Sequence, residues 1–214
     1  MATNLIAQFK SAFGETLVRQ CSVQLGESAQ SISSSIDTIV PSLLGSIISK
    51  GSLDAGALME FTANDNLSEL DLTENVVSQA ELDFDTLISK GSIILNYLTG
   101  NKLTGIIDVV SSGSGLKTSS ASSMLKIIAP LFLGFFRRVV KENSISPAGI
   151  KDFLLSQTEF VNESIPPRLH ALLVSDRVTP VPDAPLENGE IIIPNPSTGM
   201  SKVLPWIILM LASL

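Results

Sequence analysis

Two apolar runs dominate the chain, IVPSLLGSI at residues 39–47 and IAPLFLGFF at residues 128–136. Both are too continuous for a helix with one wet face, so each predicts a largely buried helix. Each follows a serine-rich stretch, residues 31–35 or 118–123, whose hydroxyls suit an N-cap. Each contains a proline, Pro41 or Pro130, which either kinks the helix, opens its second half at a first-turn position, or ends it. Four residues on, Gly45 or Gly134 falls on the same helical face as the proline, where a small residue lets another helix approach. Weaker patterns predict the remaining elements. Residues 85–97 read as a helix with Leu87, Ile88, Ile94, Leu95 and Leu98 on its apolar positions, followed by a turn at Gly100 and Asn101. A short helix is expected over 103–110, ended by the run Ser111, Ser112, Gly113, Ser114, Gly115. Ser146 and Pro147 have the form of an N-cap and first-turn proline for a helix to about residue 157, with Ile150, Phe153 and Leu154 inward. Ile165, Pro166 and Pro167 introduce a last short helix through Leu173.

The two runs belong to a longer internal repeat. Residues 18–50 laid over 107–139, without gaps, agree at Ser22/Ser111, Gly26/Gly115, Ser31/Ser120, Ser33/Ser122, Ser34/Ser123, Ile39/Ile128, Pro41/Pro130, Leu44/Leu133 and Gly45/Gly134. An Ala-Gly pair follows in each copy, Ala55-Gly56 and Ala148-Gly149, its spacing altered by a short insertion. The expected fold is therefore all-α, a multi-helical domain over 1–175 built from two related helical repeats, at about 18–61 and 107–154.

From residue 176 the character changes. Pro180, Pro182, Pro185, Pro194 and Pro196 mark 176–202 as an extended linker, and its Ile191-Ile192-Ile193 is apolar enough to dock on the domain or add a strand to a partner. Residues 203–214 then run VLPWIILMLASL without a charge, short of the roughly 20 apolar residues of a membrane span. Three readings stay open: the start of a longer span, a short interfacial anchor, or a core segment. Lys202 and Trp206 suit a membrane–water boundary. The first ten residues show no basic region followed by an apolar one, so no cleaved secretion signal is expected and the helical domain is placed on the cytoplasmic side of the bacterial inner membrane.

Composition sharpens this picture. Apolar residues make up 44%, aromatic ones only 5%, and mean hydropathy is +0.36, so small and branched aliphatic side chains must build the core. The net charge of −7 is local. Asp54, Glu60, Asp65, Glu69, Asp71, Glu74, Glu81, Asp83 and Asp85 occupy 51–89 with no Lys or Arg among them. Residues 64–81 in particular read as a solvated loop or short helices. A general nucleic-acid binder needs a basic field instead, so no nucleic acid is expected as a partner.

Candidate chemistry is sparse. Gly113 to Thr118, GSGLKT, has a phosphate-loop flavour, but Leu116 stands where that motif has glycine, and the other copy carries Glu27 where a phosphate would sit. His170 and Cys21 are the only residues of their types, too few for a zinc site or a supported nucleophile–base pair, and one cysteine cannot form an internal disulfide. Asp83 and Asp85 lack a calcium-loop pattern. No catalytic residue, cofactor or metal site is expected. Arg137, Arg138 and Lys141 either touch phosphates or compensate a helix C-terminus. Phe135 and Phe136, with Arg137 and Arg138, are candidate partner contacts if they are exposed. Protein partners are expected, and a homo-oligomer stays open.

The chain resembles the YidB-like bacterial family, long described as a domain of unknown function. The resemblance is carried by LGSIISKGSLDAGAL at 44–58, Gly91-Ser92, NYLTGNKLTGIIDVVSSGSGLKTSSASSMLKIIAPL at 96–131, and SPAGIKDFLLSQ at 146–157. It covers roughly 1–175 and implies an all-helical domain without catalytic residues to carry over. Longer relatives join a proline-rich linker, one membrane helix and an OmpA-like peptidoglycan-binding domain; here the linker and the start of an apolar segment fit that layout. The acidic stretch at 62–84 departs from the glycine-rich pattern of the family. The layout implies a non-catalytic interaction or scaffold domain tethered to the inner membrane; the alternatives are a soluble nucleic-acid-associated helical protein using Arg137, Arg138 and Lys141, which the acidity disfavours, or an enzyme with an unrecognised site.

Overall fold

A computed structural model describes residues 4–63 and 82–174 of the chain. The chain divides into two units, Met1–Arg177 and Val178–Leu214, and every described helix belongs to the first. The acidic stretch at 64–81 and the linker and apolar tail expected after residue 175 lie outside the described residues.

The described residues form helices and no strand. Helix α1, Leu5–Leu25, starts where the Asn4 side chain accepts from the Ala7 amide at 3.0 Å. Leu5, Phe9, Phe13, Leu17 and Cys21 recur every fourth residue along it, all fully buried. This apolar stripe is the signal for a helix absent from the elements expected above. Gly26 ends α1 in the left-handed region at φ +62°, which a side chain would strain. Helix α2, Ala29–Leu53, follows, then α3, Ala55–Ala63, and, after the undescribed stretch, α4, Phe84–Thr99. A 3-10 turn at Gly100–Lys102 leads into α5, Leu103–Ser114, and α6 is Thr118–Glu142. A second 3-10 turn, Pro147–Gly149, opens α7, Ile150–Ser156; α8, Thr158–Ser164, and α9, Pro167–Val174, complete the unit. The Ser146 hydroxyl accepts from the Gly149 amide at 3.2 Å, the cap expected there.

Three local expectations change. The serine-rich stretches do not cap their helices: Ser28 caps α2, accepting from the Ser31 amide at 3.0 Å, and residue 117, which precedes α6, supplies no side-chain cap. The serines lie inside the helices instead, where Ser35, for example, donates to the Ile32 carbonyl at 2.7 Å. Helix α5 does not stop before Ser111. Ser112 and Ser114 donate to the carbonyls of Asp108 and Val110 at 2.7 and 2.6 Å, so the helix continues to the left-handed Gly115 at φ +73°. The short helix α8 was not expected, because only Val161 on it is buried.

The long helices α2 and α6 are the axis of the unit. Helix α6 packs most extensively on α4, and also on α5, α2 and α1; α2 packs on α1, α3, α5, α7, α8 and α9. Ala29–Gly51 and Thr118–Glu142 are long and apolar enough to cross a membrane by length and composition, yet 61% and 72% of those windows lie buried inside the fold. Where α1 crosses α6, Phe9 meets Phe132 and Phe135 edge-on, with ring centroids 5.2 and 5.6 Å apart.

Pro41 and Pro130 fall midway along α2 and α6, so neither ends a helix. Both are buried. A mid-helix proline has no N–H for the carbonyl four residues back, here Asp37 and Lys126. The Ser42 hydroxyl donates to the neighbouring Thr38 carbonyl. Gly91 of α4 faces the Lys126 carbonyl so closely that a Cβ added there would lie 1.8 Å from its oxygen. A glycine in α4 thus meets a carbonyl exposed by a proline in α6. Gly45 allows a similar approach, since a Cβ there would stand 2.9 Å from Leu173 Cδ1 and 3.3 Å from Val161 Cγ1.

Candidate functional site

Because α1 turns its apolar stripe inward, its neighbouring face looks outward with small side chains. Gly14, Val18 and Ser22 on α1 face Ala29, Ser33 and Ile36 on the first half of α2 across an open groove of about 470 Å³. Ile36 is buried and Val18 and Ser33 are half-buried, which makes a partly apolar floor. Nothing lies within 4 Å of a Cβ added at Gly14, so the groove is open there. Lys10, Glu15, Arg19 and Asp37 line it as well, and Lys10 and Asp37 pair across the two helices with side chains 43% and 54% exposed. Such an exposed pair contributes little stability, on the order of 0–1 kcal/mol. Two acids and two bases around a small-residue floor suit a helix or extended segment held by shape and charge pairing.

At one end of the groove the α1–α2 turn touches the start of α6. Glu27 Oε1 accepts from the Ser120 hydroxyl at 2.7 Å and the Lys117 amide at 3.4 Å, with Lys117 Nζ 3.9 Å away. The Ser120 hydroxyl holds this carboxyl below its ordinary value against the opposing effect of desolvation, with lesser help from the Lys117 amide and ammonium. A carboxylate from the first turn thus occupies the N-terminus of α6, where the helix dipole and free N–H groups favour an anion. That contact, with Gly115 as a helix C-cap, accounts for the phosphate-loop flavour of residues 113–118.

The other candidate residues fall into separate places. Gly26 and Gly115 are left-handed helix ends, Pro41, Gly45, Pro130 and Gly134 lie along the two axial helices, and Gly134 is half-buried. The expectation of Phe135 and Phe136 as exposed partner contacts is corrected: they are 3% and 0% exposed. Phe135 packs edge-on to Phe13 with centroids 6.0 Å apart, and Phe136 lies beside Phe153 at 6.5 Å. They sit on the inward face of an axial helix, covered by α1 and α7. Arg137 and Arg138 are half-buried on the last turns of α6. The Arg138 guanidinium lies 5.6 Å from the Phe135 ring centroid, and its Nε lies 3.8 Å from Glu142 Oε1. These contacts draw Arg138 back onto the fold. Lys202 and Trp206 lie outside the described residues. His170 is exposed on α9, and burial pushes the Cys21 thiol up to about 12. Among the described residues no group of three His, Cys, Asp or Glu is placed to hold a metal.

Sequence reasoning missed the groove, because its lining is distributed over two helices and α1 was not among the expected elements. It also missed the half-buried aromatic pair Phe61 and Tyr97, stacked with centroids 3.8 Å apart and with Lys50 Nζ 5.7 Å from the Tyr97 ring. Burial, then the negative charge of Asp54, raises the Tyr97 hydroxyl above its ordinary value. This cluster fastens α3 to α4.

The arrangement defines a class: an all-helical domain around two long, proline-bearing central helices, with an open groove on its α1–α2 face. The chain belongs to a bacterial family described as a protein of unknown function (DUF937), whose model matches residues 7–138, more than half of its length. The match runs from α1 to within α6 and leaves α7, α8 and α9 outside. No curated protein and no solved structure matches the chain.

Proposed function

We propose that the chain is a non-catalytic helical interaction module, held at the cytoplasmic face of the bacterial inner membrane by its C-terminal segment. The observation that carries the reading is the α1–α2 groove, an open face with a partly apolar floor and charges of both signs around it. The chain is read further as an internal duplication. Helices α2 and α6, at 25 residues each, start and stop at positions matched by the repeat, each preceded by a left-handed glycine and bearing a proline at the same place. The tether rests on the sequence alone: a proline-rich stretch, then Lys202, Trp206 and the uncharged run to Leu214. In the longer layout that the chain resembles, such a module joins a cytoplasmic assembly to the cell envelope.

Two measurements test the two parts separately. Sodium carbonate washing of membranes from cells making the full-length chain is expected to leave it in the pellet; complete release into the supernatant removes the tether. Gly14→Arg fills the groove from a position with free space around it. The variant is expected to keep its helical circular dichroism and lose partners that co-purify with the wild type from membranes. An unchanged set of partners removes the groove from the reading.

A further inference from the structure

We draw no further inference here: the strongest candidate, the open groove between α1 and the first half of α2 lined by Gly14, Val18, Ser22, Ser33 and Ile36, belongs to the site already described, and nothing in the structure shows what covers it.

Discussion

At the scale of single residues, the glycines separate into those that make room and those that only lower helix stability. Gly91 makes room, because its missing side chain lets α4 lie on the Lys126 carbonyl, and that oxygen is fixed backbone rather than the end of a flexible chain. Gly91→Ala should therefore destabilise the domain by about 3 kcal/mol, at the upper end of ordinary overpacking. Gly14 sits in the interior of α1 with nothing within 4 Å of a Cβ, so Gly14→Ala should stabilise by about 0.5–1 kcal/mol through helix propensity alone. Urea denaturation of both variants checks the pair, and a Gly91→Ala chain as stable as the wild type would contradict the packing described. Glu27 supplies a second prediction, in pH. Its carboxyl is held below the ordinary value in the folded chain, chiefly by the Ser120 hydroxyl. The stability it contributes is present above the unfolded carboxylate pKa and is lost as pH falls through the folded value. Glu27→Gln should be less stable than the wild type near neutrality, and the gap should close as the medium is acidified below pH ~4, near the unfolded carboxylate value. A gap independent of pH, measured by urea unfolding across that window, would show that the charge is not what matters there. Gly91, Pro130 and Glu27 are visible in the sequence, yet no residue pattern announces that a glycine meets a proline-freed carbonyl 35 positions away, or that an acid in one turn caps a helix begun in the other. Both are contacts between distant elements, and local periodicity carries no signal for them.

At the scale of elements, the proline and the glycine should act as one device. Pro130 cannot bond the Lys126 carbonyl, which is then left facing α4. Pro130→Ala restores an N–H at that position, so the carbonyl can turn back into the helix ladder and away from residue 91. The penalty of Gly91→Ala should then fall in the Pro130→Ala background, with a coupling on the order of 1 kcal/mol in a double-mutant cycle. Additive effects of the two substitutions would mean that the carbonyl does not move. The elements themselves were unevenly legible. Helix α4 was readable because Leu87, Ile94, Leu95 and Leu98 keep helical spacing and all four are buried. The axial helices were readable as buried, but whether each proline ended its helix was open, since a proline marks a break as readily as a kink. Tertiary packing on several sides keeps α2 and α6 continuous. The serine clusters misled for a definite reason: a serine hydroxyl bonds a carbonyl three or four residues back inside a helix as readily as it caps one, and Ser35 does the first while Ser120 donates to Glu27 of the α1–α2 turn.

At the scale of the whole molecule, α1 is the element that ties the ends of the described unit together. It packs on both axial helices, and the Leu5 amide at its start donates to the Oε1 of the fully buried Gln157, 152 residues away, at 3.2 Å. Cys21 lies on the inward stripe of the same helix and is fully buried, with its thiol pushed up to about 12. A buried, protonated thiol does not react, so modification must wait for α1 to leave the core. With a stability of about 5–15 kcal/mol, ordinary for a domain, labelling of the native chain should be slower than that of a free cysteine by a factor of at least about 10³. Gln157→Ala leaves the Leu5 amide without its buried acceptor, at a cost of about 1–3 kcal/mol. If α1 opens only together with the core, that loss should speed Cys21 labelling by about 5- to 150-fold, the same free energy read as a rate. If α1 instead frays from its N-terminus, amide exchange at the first turn should quicken in Gln157→Ala while Cys21 labelling stays as in the wild type. Measuring the two rates on one variant separates these cases, because Leu5 and Cys21 stand at opposite ends of one 21-residue helix. Labelling of the wild type at the rate of a free thiol would place Cys21 outside the core altogether.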